Sequence, residues 1–219
     1  MHNQGRTIKN ETTMSSILHR IFQPLFPCLL CGLDQQQKHS LCLDCWHKLP
    51  WLKDHIVRHE RKIQIALNYA FPVDRIIQTY KYEQQLQYQT LLAHTLMTLR
   101  FNKVQAIVPM PISTERLRER GYNQMLIIAK LLSKQMNIPV WQPVHRLAQH
   151  SQKGLSRVER MQNIEEQFQI IKTERGKFRR VLMIDDVVTT GSSIDALAHA
   201  LHKLGCQSIQ IACIAAAQE

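Results

Sequence analysis

One segment, RRVLMIDDVVTTGSSI at residues 179–194, limits what this chain can fold into. Val181 to Ile184 is an apolar, β-branched-rich run between Arg180 and Asp185, the pattern of a buried strand. Two adjacent carboxylates, Asp185 and Asp186, stand just past its expected end. A turn of small hydroxyl residues with one glycine follows. Ser192 and Ser193 then lead into apolar residues at helical spacing: Ile194, Leu197, Ala198, Leu201 and Leu204. Strand, tight turn and helix N-terminus together make an anion site, because the N–H groups of the first helical turn have no intrahelical partner. An open α/β sheet places such a site at the carboxyl ends of its strands. Donors on one side and carboxylates on the other suit a phosphorylated sugar, with phosphate on the N–H and hydroxyl groups and ribose hydroxyls on the acids.

Two competing phosphate motifs are excluded. Neither G-x-x-x-x-G-K-[ST] nor G-x-G-x-x-G occurs in the chain. The sequence has 7 glycines, and Gly191 is the only one in this turn. A solvated strand end and a plain capping turn would account for the acids or the hydroxyls taken singly, but not for the whole ordered string.

A chain of 219 residues, 44% hydrophobic and 21% charged, has room for one α/β domain plus a small appendage. The absence of any apolar run near 18 residues predicts no membrane-spanning helix. The first 16 residues are polar and lack an apolar signal core, which predicts a disordered tail over 1–16; Met14 is an alternative start to Met1. The net charge of +11 favours anionic partners such as nucleotides, nucleic acid or an acidic protein. Phosphate-binding enzymes are often basic too, so charge alone does not choose among these.

Four of the six cysteines form Cys28-x2-Cys31-x10-Cys42-x2-Cys45. Paired C-x-x-C knuckles bring four thiolates to one tetrahedral ion, and Gly32 permits the tight turn after Cys31. Redox chemistry would need only one such pair, so the spacing predicts a structural Zn2+ module over 17–51. Four thiolates leave no open position for a catalytic water, which makes the module a staple or a docking surface. Trp46, Leu49, Pro50 and Trp51 are candidates for packing on the neighbouring domain or for stacking on nucleic acid. Without a secretory signal, clustered thiols indicate a reducing cytoplasm.

The remaining 52–219 forms the main domain. Residues 52–64 read as a charged connector, with His55 and His59 as surface residues. Strands are expected at 65–71, 104–110, 139–144, 168–171, 181–184 and 209–216, and helices over 73–82, 84–101 and after 124. Strands interleaved with helices predict a doubly wound parallel sheet. Arg116, Arg118 and Arg120 fall between a strand exit and a helix, and form either a diphosphate cradle or an exposed Arg/Glu helix start. Residues 150–163 are polar, basic and glycine-containing, suited to a mobile cover carrying Lys153, Arg157 and Arg160, or to an ordinary surface loop with a short helix.

The 179–194 string resembles the phosphoribosyl diphosphate (PRPP) loop of type I phosphoribosyltransferases. That resemblance implies that Asp185 and Asp186 face the ribose hydroxyls, and that Val187, Val188, Thr189, Thr190, Gly191, Ser192 and Ser193 wrap the 5′-phosphate. A closer resemblance rests on CLLCG…LCLDCWHKLPW, ALNYAFPVDRIIQTYKYEQQ, IVPMPISTERLRERGYNQ, HSQKGLSRVERMQNIEEQF and VLMIDDVVTTGSSI. In this order they resemble the ComF family, amidophosphoribosyltransferase-like proteins linked to DNA uptake in natural competence; the first 13 residues lie outside the match. The resemblance implies a type I phosphoribosyltransferase fold with a zinc module. It also implies two functional readings. In one, the chain is a competence factor handling single-stranded DNA beside a DNA-uptake helicase or ATPase or a recombination mediator. In the other it is an active transferase using PRPP with Mg2+, the arginines holding the diphosphate and Asp185 and Asp186 stabilising positive charge at the sugar. Fold does not choose between them.

Overall fold

A computed structural model describes residues 26–147 and 167–217. The chain divides into two compact units, 1–49 and 50–219. The predicted tail over 1–16 and the predicted cover over 150–163, with Lys153, Arg157 and Arg160, lie outside the described residues.

In the first unit the knuckle after Cys28 closes through Gly32, whose N–H donates to the Cys28 carbonyl at 2.9 Å and whose φ is +68°. The second knuckle opens helix α1 (Leu43–His47), where the Cys42 sulfur accepts from the Cys45 N–H. His39 stacks on Trp46 with ring centroids 4.0 Å apart.

The second unit starts with a hairpin. Strands β1 (Trp51–Arg58) and β2 (Arg61–Asn68) pair antiparallel, so 52–64 is not the connector that its charge suggested. His59 and Glu60 make the two-residue turn with φ of 47° and 60°. Positive φ at both positions matches the right-handed strand twist, but turns of this kind usually announce themselves by Asn-Gly. The charges of Lys53, Asp54, His55 and Arg58 belong to an edge strand, where they oppose pairing with other chains.

Helix α2 (Val73–Tyr82) buries Val73, Ile76, Ile77 and Tyr80, one face at i, i+3, i+4 and i+7. The long helix expected over 84–101 is shorter: a 3-10 turn at Leu86–Tyr88 leads into α3 (Gln89–Leu96). The hydroxyls of Thr95 and Thr98 donate back to the carbonyls of Leu92 and Thr95, competing with continuation of the helix. Strand β3 (Ala106–Pro109) is fully buried. Helix α4 (Thr114–Arg120) is capped by the Ser113 hydroxyl and ended by Gly121 at φ 79°. Helix α5 (Gln124–Met136) is capped by Asn123, whose side-chain oxygen accepts from the N–H groups of Met125 and Leu126.

The strand expected at 139–144 is displaced to β4 (Val144–Arg146), which pairs antiparallel with β5 (Phe168–Ile170) in a separate two-stranded sheet. Pro139 and Pro143 carry no N–H for a ladder. Only Val140 bridges to Ile107 of β3.

Strand β6 (Arg180–Val188), helix α6 (Ser192–Lys203) and strand β7 (Ser208–Ala216) form a βαβ unit. The main sheet runs β1-β2-β7-β6-β3, parallel except for β1. The expected parallel α/β sheet holds for β2, β7, β6 and β3, and the antiparallel edge strand β1 departs from it. Strand β6 also extends further than Ile184: Asp185 pairs with Cys213 and Val188 with Ala216, so the two acids lie within the strand. Cys213, Ala215 and Ala216, small and buried, give the ladder a partner that far.

Candidate functional site

The carboxyl end of β6 opens on a cleft of about 330 Å3. Asp185, Asp186 and Val187 line it from the strand, Thr189 to Ser193 from the turn, and Ile194 from the start of α6. Val188 is buried and lies outside the lining. Gly191 precedes α6 with φ of 82°, and a Cβ there would sit 2.7 Å from Cβ of Arg58. Only glycine meets both demands. Gly191 offers no capping side chain to α6, and the Thr190 hydroxyl accepts from the Ser192 N–H at 3.4 Å. The Thr190 and Ser192 hydroxyls are 3.1 Å apart.

The opposite wall comes from elsewhere in the chain. The helical repeat puts Arg116 and Arg120 of α4 on one face, and both line the cleft, whereas Arg118 is exposed outside it. The arginine stretch is thus a helix, with Arg116 and Arg120 on its cleft face. Arg120 is 9% exposed, lies over the Tyr82 ring and donates to Gln124 Oε1 at 2.6 Å. Gln124 Nε2 in turn donates to Asp186 Oδ2 at 2.9 Å. Lys81, in the last turn of α2, donates to Asp186 Oδ1 at 2.6 Å. Arg146 of β4 donates to the Ser193 hydroxyl at 3.0 Å and stacks over Phe168. Sequence reasoning assigned no role to Lys81, Gln124 or Arg146. The only signal was that Lys81 and Gln124 fall inside the strings that carried the resemblance.

Electrostatics separates the two acids. Burial first, and the neighbouring Asp186 second, push the Asp185 carboxyl up to about 7, against the opposing charges of Lys81 and Arg146. Burial lowers Arg146 from the usual arginine range, with Arg116 adding to the effect and Asp185 opposing it. Burial raises Tyr80, whose hydroxyl donates to the Gln124 carbonyl and so braces α2 against α5.

In the first unit the sulfurs of Cys28, Cys31, Cys42 and Cys45 all lie within 4.8 Å of one another, a group able to hold a metal ion. Cys31 and Cys42 sulfurs are 3.9 Å apart. A tetrahedral site with metal–sulfur bonds of about 2.3 Å requires about 3.8 Å. Burial opposes ionisation of Cys28, but backbone N–H groups of Cys31, Cys42 and Leu30 bring its thiol down to about 6. Burial pushes Cys45 up. Among the described residues, no helix is long and apolar enough to cross a membrane.

The phosphoribosyl transferase domain profile matches residues 126–219. Competence protein F of Haemophilus influenzae is 31% identical over 199 residues, spanning 85% of this chain and 83% of that protein. DNA utilization protein YhgH of Escherichia coli is 28% identical over 199 residues, spanning 85% and 82%. Competence protein ComFC of Bacillus subtilis is 26% identical over 182 residues, spanning 81% and 72%. Identity of this extent, running along most of both chains and including a phosphoribosyltransferase domain, means that the chain belongs to the competence protein F family.

Proposed function

We propose that the cleft binds PRPP or another ligand with a 5-phosphoribosyl group, and that the protein acts in uptake and processing of single-stranded transforming DNA. One observation carries the binding reading: the acid pair, the hydroxyl turn and the start of α6 share one cleft with Arg116, Arg120 and Arg146. Among the described residues, none of those arginines is ion-paired to a carboxylate. Guanidinium groups without a carboxylate partner suit phosphate oxygens in two-point contacts. The DNA role rests on the relatives, which are named for competence and DNA utilization. Calorimetry with PRPP and Mg2+ tests the site. Binding in the wild type that weakens at least about tenfold in Asp186→Asn is expected, the loss of a charged contact. No heat at millimolar PRPP would sink the reading.

An active transferase is the second reading, favoured by Asp185. A carboxyl titrating near 7 can exchange a proton with a nitrogen nucleophile at neutral pH. Diphosphate release in the presence of ammonia or nitrogen bases would support it; binding without release would leave the protein a binding module.

For the four-cysteine cluster we infer structural zinc, because four thiolates at tetrahedral spacing leave no open coordination position. The wild type should carry one equivalent of zinc and Cys31→Ser should lose it. A folded, metal-free wild type would count against the inference. The six free thiols suit a reducing cytoplasm, and the zinc unit is the proposed dock for a DNA-uptake ATPase or recombination mediator.

A further inference from the structure

Asp186 lines the cleft with its carboxylate already engaged. Its Oδ1 accepts from Lys81 Nζ at 2.6 Å and from the Val187 N–H at 2.7 Å, and its Oδ2 accepts from Gln124 Nε2 at 2.9 Å. A carboxylate offers about four acceptor directions, so most of this one is used. The orientation of Gln124 is fixed as well. Arg120 can only donate, so it holds Oε1 and turns Nε2 toward Asp186. The Lys81 and Asp186 side chains are 19% and 9% exposed, which puts the ammonium inside the cleft wall and not in bulk water.

The fold family implies Mg2+ on the diphosphate of PRPP, and Mg2+ is usually held through one or two carboxylates plus substrate phosphates. At Asp186 such an ion would have to displace Lys81 or Gln124 and leave a buried charge or amide uncompensated. Asp185 is a poor substitute, because its Oδ1 already accepts from the Asp186 N–H at 2.8 Å and burial disfavours its ionised form. The acid pair therefore does not fit a resident magnesium ion.

We propose that Lys81 is the cleft's own counter-ion: tethered to Asp186, it takes the place of a divalent cation and lets a diphosphate-bearing sugar phosphate bind without magnesium. The proposal rests on the phosphoribosyl reading given above and specifies its ligand requirement. Lys81 is one of four cations around the cleft, with Arg116, Arg120 and Arg146. The three arginines have no carboxylate partner among the described residues and Lys81 shares its charge with Asp186; all four are attached to the chain, so charge neutralisation of the ligand does not depend on capturing an ion from solution.

The test is calorimetry of the full chain with PRPP, once in excess EDTA and once in excess Mg2+. The wild-type Kd should differ by less than about threefold between the two. Lys81→Met should bind about 10- to 100-fold more weakly in EDTA, the scale of a lost charge-assisted contact, and should recover in Mg2+ because Asp186 is then open to an ion. Lys81→Arg keeps the charge and should stay independent of magnesium. Wild-type binding that requires Mg2+ overturns the proposal while leaving the phosphoribosyl reading intact. Absence of binding in both conditions overturns the two together. Metal-independent binding left unchanged by Lys81→Met removes Lys81 from the role. The wild-type comparison stands even if Lys81→Met fails to fold.

Discussion

The two walls of the cleft are built in different ways. One wall is contiguous: β6, its turn and the start of α6 follow one another in sequence and present mostly backbone donors and small hydroxyls. The other wall is assembled from Lys81, Arg116, Arg120, Gln124 and Arg146, on four separate elements, and presents four charged side chains and one amide. On the proposed reading, the contiguous wall would supply a preformed shape for a phosphate. The assembled wall supplies charge in particular places, which on the same reading would favour a diphosphate over a single phosphate. Its residues depend on one another, as in Arg120 to Gln124 to Asp186, whereas the contiguous wall depends on backbone conformation.

The largest effect should come from attacking that conformation. Gly191→Ala places a side chain at φ 82°, and its Cβ 2.7 Å from Cβ of Arg58, an atom close to the backbone of the β1–β2 hairpin tip. Left-handed backbone costs about 1–2 kcal/mol for a residue with a Cβ, and overpacking adds about 1–3 kcal/mol. Thermal unfolding should shift down by roughly 5–10 °C, and PRPP binding should fall at least about 30-fold as the turn moves. Unchanged binding would show that the turn does not hold the ligand, and the contrast between the walls would collapse.

That same contrast explains what could be read in the sequence. The contiguous wall was legible because a buried parallel strand is a continuous apolar run, and because a hydroxyl turn and an amphipathic helix follow directly on it. The four cysteines were legible for the same reason, since two short knuckles define the site. Lys81, Gln124 and Arg146 were not, because each acquires its meaning from a partner distant in the chain: Lys81 meets Asp186 across 105 positions, and Gln124 meets it across 62. The first hairpin was hidden by His59-Glu60, a turn pair without the usual glycine, and by edge-strand charges that look like a linker. Even the reach of β6 depended on a remote fact, the small buried residues of β7 that pair beside the acids.

A smaller effect would sharpen the comparison on the assembled wall. Arg120→Ala removes a buried guanidinium from the cleft and frees Gln124 to rotate away from Asp186. PRPP affinity should drop about 10- to 100-fold, the scale of a charge-assisted contact. Arg118→Ala, two residues earlier on the exposed face of α4, should change affinity by less than about threefold. Equal losses in both variants would mean that the arginine stretch acts through general positive charge. In that case raising the salt concentration should abolish the effect of either variant.

The smallest expected effect concerns Asp185, where the two walls meet. Its carboxyl is raised to about 7 by burial and by Asp186, with Lys81 and Arg146 opposing, and Cys213 lies in the same electrostatic neighbourhood. A carboxyl whose folded-state pKa lies above its unfolded value holds its proton longer in the native state. The native protein therefore binds more protons between about pH 4 and pH 7, and stability falls as pH rises through that window. Asp185→Asn cannot lose that proton. Its melting temperature should match the wild type near pH 4 and exceed it by at least about 2 °C at pH 8, with a flatter profile between. If the wild type is instead more stable than Asp185→Asn at pH 8, the ionised carboxylate is well accommodated. The assembled wall would then balance both acids, and Lys81 would serve the pair as a whole and not Asp186 alone.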